Sequence, residues 1–261
     1  MHCLPAANLV YCQTRTMAQR LQRAFSTAKA IKLLPNCVPG DALRAPGDIP
    51  IPGQLAPYSQ KCCLICLTRY YAHKNLEFIV ETFDAYRESL RDVVVFLTIS
   101  AKQAPQARRL LRRVARLGLS DQIVNLGPLG QTEIPAFFRH CHALLFPTRL
   151  ESFSTTYLEA MFCGLPILTS DLDFAHDVCG PAALYFDPWS PTSMKQAILQ
   201  FAGDVALRAR LADLGRQRLA SNHGRSWEDI AGTLVSDLRE LVFADVKRVA
   251  VEESCETGRS S

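Results

Sequence analysis

Residues 143–171 read ALLFPTRLESFSTTYLEAMFCGLPILTSD, and the order of elements in this stretch decides the fold. Ala143, Leu144, Leu145 and Phe146 form a short apolar run stopped by Pro147, the pattern of a buried strand. A polar turn over residues 148–154 follows and holds one carboxylate, Glu151. Leu158, Met161 and Phe162 then recur at helical spacing, and Gly164 with Pro166 ends that helix. A second apolar run, 165–169, begins at once. Strand, loop, helix, strand is a parallel βαβ unit, whose ligands bind at the loop leaving the first strand's carboxyl end.

Two glutamates, Glu151 and Glu159, are spread across that loop and helix. Unused backbone N–H groups at a helix start suit a phosphate. A carboxylate further along can accept from a vicinal diol, so the pattern suits a sugar nucleotide. The same residues admit a plainer reading. Thr156-x-x-Glu159 fits a capping box, in which Glu159 only satisfies the helix N-terminus. Glu151 would then be a solvated loop residue.

Outward from this stretch, apolar runs alternate with helical periods. The spacing predicts strands at 62–67, 93–99, 123–126, 143–146, 165–169 and 182–186. It predicts helices at 75–90, 105–117, 134–141, 154–163, 174–178, 192–201, 205–220 and 227–243. Val93-Val94-Val95-Phe96-Leu97 is apolar without alternation, as expected of a strand covered on both faces. The fold class that follows is α/β, a doubly wound, Rossmann-like parallel sheet.

A second cluster, Thr68-Arg69-Tyr70-Tyr71-Ala72-His73-Lys74-Asn75, directly follows the 62–67 strand. A guanidinium fork and an ammonium point charge at a strand's carboxyl end hold a diphosphate well. Alone, Arg69 and Lys74 would be an ordinary basic loop.

FPTRLESFSTTYLEAMFCGLPILTSD resembles the signature of the retaining glycosyltransferases of family 4: a Glu-x7-Glu pair between a Phe-Pro strand end and a Gly-x-Pro strand start. The resemblance extends over roughly residues 61–231 and implies the C-terminal, donor-binding half of a GT-B fold. It also implies retaining transfer of a hexose from a nucleoside diphosphate sugar to a glycan or lipid-linked acceptor, in polysaccharide biosynthesis. By this likeness Arg69 and Lys74 contact the diphosphate and stabilise the leaving group, and Glu151 positions the donor sugar. The backbone of Ser152, Phe153, Ser154 and Thr155 helps hold phosphate or sugar, and Glu159 binds the ribose hydroxyls. Leu129, in Leu126-Gly127-Pro128-Leu129, falls in the nucleobase pocket, where backbone groups contact the base. Neither a metal ion nor any other cofactor is implied, and no covalent nucleophile.

The resemblance divides the chain into a remnant of the acceptor-side domain (1–38), a Pro/Gly-rich linker (39–60), the nucleotide-sugar domain (61–250) and a disordered polar tail (251–261). The family's phosphate-contacting glycine loop and sugar-contacting histidine, normally on the acceptor-side domain, have no counterpart in the sequence. Transfer by this chain alone is therefore expected to be slow or nil, and a separate acceptor-domain chain becomes a candidate partner. Two other readings stay open: a non-catalytic nucleotide-sugar-binding module or half of a split enzyme, and a GT-B epimerase or phosphorylase. No site for the pyridoxal-phosphate lysine of a phosphorylase is evident.

The rest of the sequence sets bounds. A chain of 261 residues with 48% hydrophobic residues can bury a sizeable core. The apolar runs are far too short for a membrane span, and the N-terminal residues do not read as a signal peptide. A net charge of +4 implies no nucleic-acid partner. The ten cysteines are scattered, and Cys63-Leu64-Ile65-Cys66 lies in a strand with no second pair at zinc spacing, so buried free thiols in a reducing cytoplasm are expected. Arg108, Arg109, Arg112, Arg113 and Arg116 share one helix face, opposite Leu110, Leu111, Val114 and Leu117. That face is either solvated or drawn to anionic lipid or a lipid-linked acceptor, which limits membrane contact to the periphery. Asp171, Asp173, His176 and Asp177 are not read as metal ligands, since the acids among them also suit a helix N-terminus.

Overall fold

A computed structural model describes residues 7–25, 30–38, 43, 49–223 and 225–257. Six parallel strands form the main sheet: β3 (Cys62–Cys66), β4 (Val93–Leu97), β5 (Ile123–Asn125), β6 (Ala143–Phe146), β7 (Ile167–Ser170) and β8 (Ala183–Phe186). Their order is β5-β4-β3-β6-β7-β8. The chain runs outward from β3 through β4 to β5, then returns to lay β6 on the other side of β3. That reversal is a topological switch point, and it lies between β3 and β6, paired through Leu64–Ala143 and Ile65–Leu144.

The strands are apolar without alternation because both sheet faces are covered. Leu64, Cys66, Val93, Val95 and Leu97 pack into one core with helices α2 (Leu76–Ala85), α3 (Pro105–Arg116), α7 (Pro191–Gly203) and α8 (Val205–Arg218). Cys63, Ile65, Val94, Phe96, Leu144 and Phe146 face the other core, built with α4 (Ile134–His140), α5 (Thr155–Phe162) and α6 (Asp173–Cys179). Cys63 and Cys66 therefore point to opposite faces. Burial pushes the Cys63 thiol up to about 11 and the Cys66 thiol up to about 12. Both behave as core hydrophobes.

The strand read at 165–169 starts two residues later, at Ile167. Pro166 has no N–H to donate to the ladder, although its carbonyl accepts from Leu144 N at 2.8 Å. The helix expected at 75–90 stops at Ala85, and Tyr86 leaves helical geometry at φ −127°. In α3, Ala107, Leu110 and Val114 are buried while Arg108, Arg109, Arg112 and Arg116 are exposed, and Arg113 pairs with Glu81 at 3.5 Å.

By its contacts the chain divides into two compact units, Val38–Gly224 and a smaller one joining Met1–Cys37 to Arg225–Ser261. The sequence expectation gave 225–250 to the nucleotide-sugar domain and set 39–60 apart as a linker, and both differ from this division. Residues 49–60 were read as linker, yet Leu55 is buried in the second core and the Tyr58 ring meets Phe96 edge-on at 5.4 Å. Most of the remaining linker, 39–42 and 44–48, lies outside the described residues.

In the smaller unit β1 (Val10–Cys12) and β2 (Ile31–Leu33) pair in parallel around α1 (Arg15–Ala24). The last helix, α9 (Trp227–Thr257), joins them: its Asp237 accepts from Tyr11 Oη at 2.7 Å and from Lys32 Nζ at 2.6 Å. A tail was expected from residue 251. The helix instead continues to Thr257, since Glu252 and Glu253 are good helix formers and polarity alone does not end a helix. Residues 258–261 lie outside the described ones. Among the described residues no helix is long and apolar enough to cross a membrane.

Candidate functional site

Two loops meet at the carboxyl edge of the sheet, one leaving β3 and the other leaving β6. The β3 loop carries Arg69 and ends in a single 3-10 turn, Ala72–Lys74. Asn75 then turns the chain into α2 with φ +58°, the left-handed region that asparagine tolerates better than most residues. Its side-chain amide donates to Pro188 O at 3.2 Å, tying this loop to the one that leaves β8. The β6 loop is fastened to the same turn, because Arg149 N donates to His73 O at 2.7 Å.

The two loops bring Lys74 and Glu151 together. Lys74 Nζ lies 2.5 Å from Glu151 Oε1, and both side chains are largely buried. Thr148 Oγ1 donates to the same carboxylate oxygen at 2.8 Å, and the ammonium sits 4.7 Å from the centre of the Phe146 ring. Arg69 is exposed, and its guanidinium has no hydrogen bond or ion pair among the described residues.

Helix α5 is locked to the strand ends by Tyr157. Its buried hydroxyl bonds Thr169 Oγ1 at 2.7 Å, Thr169 Oγ1 donates to Phe146 O at 2.8 Å, and the ring meets Phe146 edge-on at 5.2 Å. The helix starts at Thr155 with Ser154 as its N-cap, and the Ser154 side chain makes no capping bond. Tyr157, not Glu159, occupies the third helical position. The capping-box reading of Thr156 and Glu159 is therefore overturned: Glu159 is the fifth helical residue, two positions beyond the one that can reach back to the cap. Its carboxylate is mostly buried and has no hydrogen-bond partner among the described residues, and burial raises its pKa above the ordinary range.

The other sequence candidates fall as follows. Phe153 is buried in the second core, Ser154 is buried, Ser152 is exposed, and Thr155 opens α5, where a helix has N–H groups without internal acceptors. Leu129 follows β5, three strands from β6, and packs its side chain against the second core. Asp171 and His176 pair with each other at 2.6 Å, and Asp173 accepts from Phe174 N at the start of α6. Two residues escaped the sequence reading, Thr148 and Asn75. Thr148 had a usable signal: a hydroxyl directly after the Phe-Pro strand end, three residues before the glutamate. Asn75 had none, since its left-handed turn depends on a carbonyl 113 residues away.

Strand order, switch point and the convergent basic and acidic loops define a Rossmann-like α/β unit of the GT-B class. Residues 50–218 match the family described as Glycosyl transferases group 1, and the chain belongs to that family. It is 24% identical over 180 residues to the serotype-specific mannosyltransferase WbdA of Escherichia coli, covering 69% of this chain and 22% of WbdA. Among solved structures, sucrose-phosphate synthase from Thermosynechococcus elongatus superposes with a TM-score of 0.78 at 20% identity, covering 93% of this chain and 60% of that one. Anabaena Alr3699/HepE in complex with UDP and glucose gives a TM-score of 0.74 at 18% identity, covering 89% and 63%. The chain thus spans about a fifth of the length of the mannosyltransferase it matches and about three fifths of these two structures.

Proposed function

We propose that this chain binds the donor of a retaining glycosyltransferase of family 4, which moves a hexose from a nucleoside diphosphate sugar to a glycan or lipid-linked acceptor. The observation that carries the reading is the Lys74–Glu151 pair at the switch point; the β3 loop also carries the unpaired Arg69 guanidinium, and α5, which follows the β6 loop, carries the partnerless Glu159 carboxylate. A carboxylate kept mostly buried without a partner costs stability, and a ribose diol would repay that cost with two O–H donors.

The geometry supports a role for each group. An ammonium has three donors, so Lys74 can keep Glu151 and still donate to a β-phosphate oxygen. Arg69 adds a planar fork on the open side. Together they offset the charge that grows on the departing diphosphate as the glycosidic bond breaks, which is electrostatic catalysis. They supply this positive charge themselves, so donor binding needs no divalent metal. The second oxygen of Glu151 remains for a sugar hydroxyl, and the first amides of α5 lie at the positive end of a helix. The HepE structure, obtained with UDP and glucose, supports a donor of this kind.

Calorimetry with UDP, GDP and ADP in the presence of EDTA tests the reading. At least one of the three is expected to bind. Absence of heat with all three, on folded protein, overturns it.

A further inference from the structure

The β8 exit loop holds an aromatic side chain in the open. Trp189 is 60% exposed. Its loop is nevertheless fixed: Trp189 N donates to Asp187 Oδ1 at 2.9 Å, Asp187 N donates to Ser193 Oγ at 3.0 Å, and Pro188 O accepts from Asn75. A large apolar ring held in water by an ordered loop forfeits the burial that would stabilise it.

Arg149 lies over this ring, its guanidinium carbon 5.8 Å from the ring centre. It makes no ion pair or hydrogen bond through its side chain among the described residues, so its N–H donors are unused. Arg149 is also two residues before Glu151, and its backbone is bonded to His73, next to Lys74. The ring and the guanidinium are thereby tied to both loops that carry the candidate reaction centre.

Sheet order supplies a direction. Leu129, beside the proposed base pocket, follows β5 at one edge, the Lys74–Glu151 pair sits at the centre, and Trp189 follows β8 at the opposite edge. A nucleotide laid from the β5 side towards the pair leaves Trp189 uncovered. Anything approaching from the β8 side passes over it. A flat apolar face bordered by unused N–H donors matches a pyranose ring, which has a C–H face and hydroxyls around its edge.

We propose that Trp189 and Arg149 form a platform on which a pyranose ring of the acceptor glycan stacks, on the side of the Lys74–Glu151 pair away from the nucleotide. The proposal rests on the donor-binding reading for its direction, but its test is independent of nucleotide binding. Trp189 and Trp227 are the two tryptophans of the chain, so Trp227→Phe leaves Trp189 as the sole indole reporter. In that background mannotetraose, maltotetraose and cellotetraose are titrated in turn, with saturation-transfer NMR as a second readout and UDP as a separate titrant.

At least one tetrasaccharide is expected to bind saturably. Trp189→Ala is expected to weaken it about tenfold, the loss of one stacked ring face, while Trp189→Phe stays within about threefold. Arg149→Ala falls between, and UDP affinity is unchanged in all three variants. Because Trp189 is exposed, these substitutions leave the core untouched. Equal tetrasaccharide affinity in wild type and Trp189→Ala overturns the proposal, and so does failure of all three tetrasaccharides to bind. A loss of UDP binding with tetrasaccharide binding intact would assign the ring to the nucleotide and overturn it as well. Tetrasaccharide binding through Trp189 in a chain that ignores UDP, GDP and ADP would keep the platform and discard the donor-binding reading.

Discussion

Lys74 Nζ and Glu151 Oε1 lie 2.5 Å apart although 77 residues separate them, because β3 and β6 are neighbours only where the sheet reverses its winding. The pair is mostly shielded from water, with side-chain exposures of 14% and 11%. Removing one member leaves an uncompensated charge in that setting. Lys74→Met is expected to destabilise the fold by about 1–3 kcal/mol, less than a fully buried pair because the edge is open. Lys74→Met with Glu151→Leu should recover most of that loss while binding no diphosphate. Urea melts of the single and double variants check this. A double variant as unstable as Lys74→Met would show that the two charges do not stabilise each other.

The smaller unit has its own pH dependence. Lys32, then Tyr11, bond the Asp237 carboxylate and hold its pKa below the usual carboxylate range. A carboxylate with a depressed folded pKa contributes fully above its unfolded value and loses that contribution as pH falls through the folded one. Loss of the α1, β1 and α9 helical and strand signal is therefore expected only in strong acid, below pH of about 4. Asp237→Asn should produce the same weakening at neutral pH. Hydrogen exchange at Val10–Cys12 follows it, and unchanged protection in the variant contradicts the assignment.

Much of this architecture was legible in the sequence because each strand of the main sheet is a short apolar run between breakers. The run 143–146 matches β6 at both ends, as Pro147 stops it and His142 precedes it. Element types held throughout the larger unit, and errors gathered at the ends, where local propensity is weakest. Arg69, Lys74 and Glu151 stood out in the sequence because each lies in a loop just after an apolar strand run, and Glu159 because it lies in the helix that follows. What was not legible is what two distant segments do together: the ion pair itself, the Asn75 bond to Pro188 and the capture of Leu55 by the second core. The sequence reading kept α9 as far as residue 250 in the nucleotide-sugar domain, whereas the bonds of its Asp237 to Tyr11 and Lys32 hold it in the unit containing β1.

Ser170 ends β7 with its hydroxyl completely buried and without a hydrogen-bond partner among the described residues. A buried polar group left unsatisfied costs about 1–3 kcal/mol, whereas its removal leaves a void smaller than one methyl group. Ser170→Ala is expected to stabilise the protein by about 1 kcal/mol and raise Tm by about 2–4 °C. Nucleotide affinity should not change, because the hydroxyl is sealed from solvent. A fall in Tm on this substitution would mean that the hydroxyl is satisfied after all.

Glu159 offers the sharpest separation of binding from stability. Its carboxyl is mostly buried in α5, and that burial raises its pKa above the ordinary carboxylate value. The sign is opposite to that of Asp237. A raised folded pKa means that the group favours the fold most at pH below its unfolded value, and its contribution is lost as pH rises through the folded value. At neutral pH the unpaired carboxylate is thus a net cost, and Glu159→Gln should hold or slightly raise Tm there, with no such gain in acid. Binding should move the other way. If the carboxylate accepts from the ribose diol, the neutral amide forfeits charged hydrogen bonds worth roughly 1.5–3 kcal/mol, or about ten- to hundredfold in affinity. Wild-type affinity should also decline as pH drops through the raised pKa, and the Gln variant should lack that decline. Arg69→Ala provides the contrast. It should weaken a diphosphate far more than the free nucleoside, while Glu159→Gln weakens both alike. Titrating nucleoside and diphosphate into both variants at pH 5 and pH 7.5 decides the matter. Wild-type affinities in Glu159→Gln would leave its buried charge without a function.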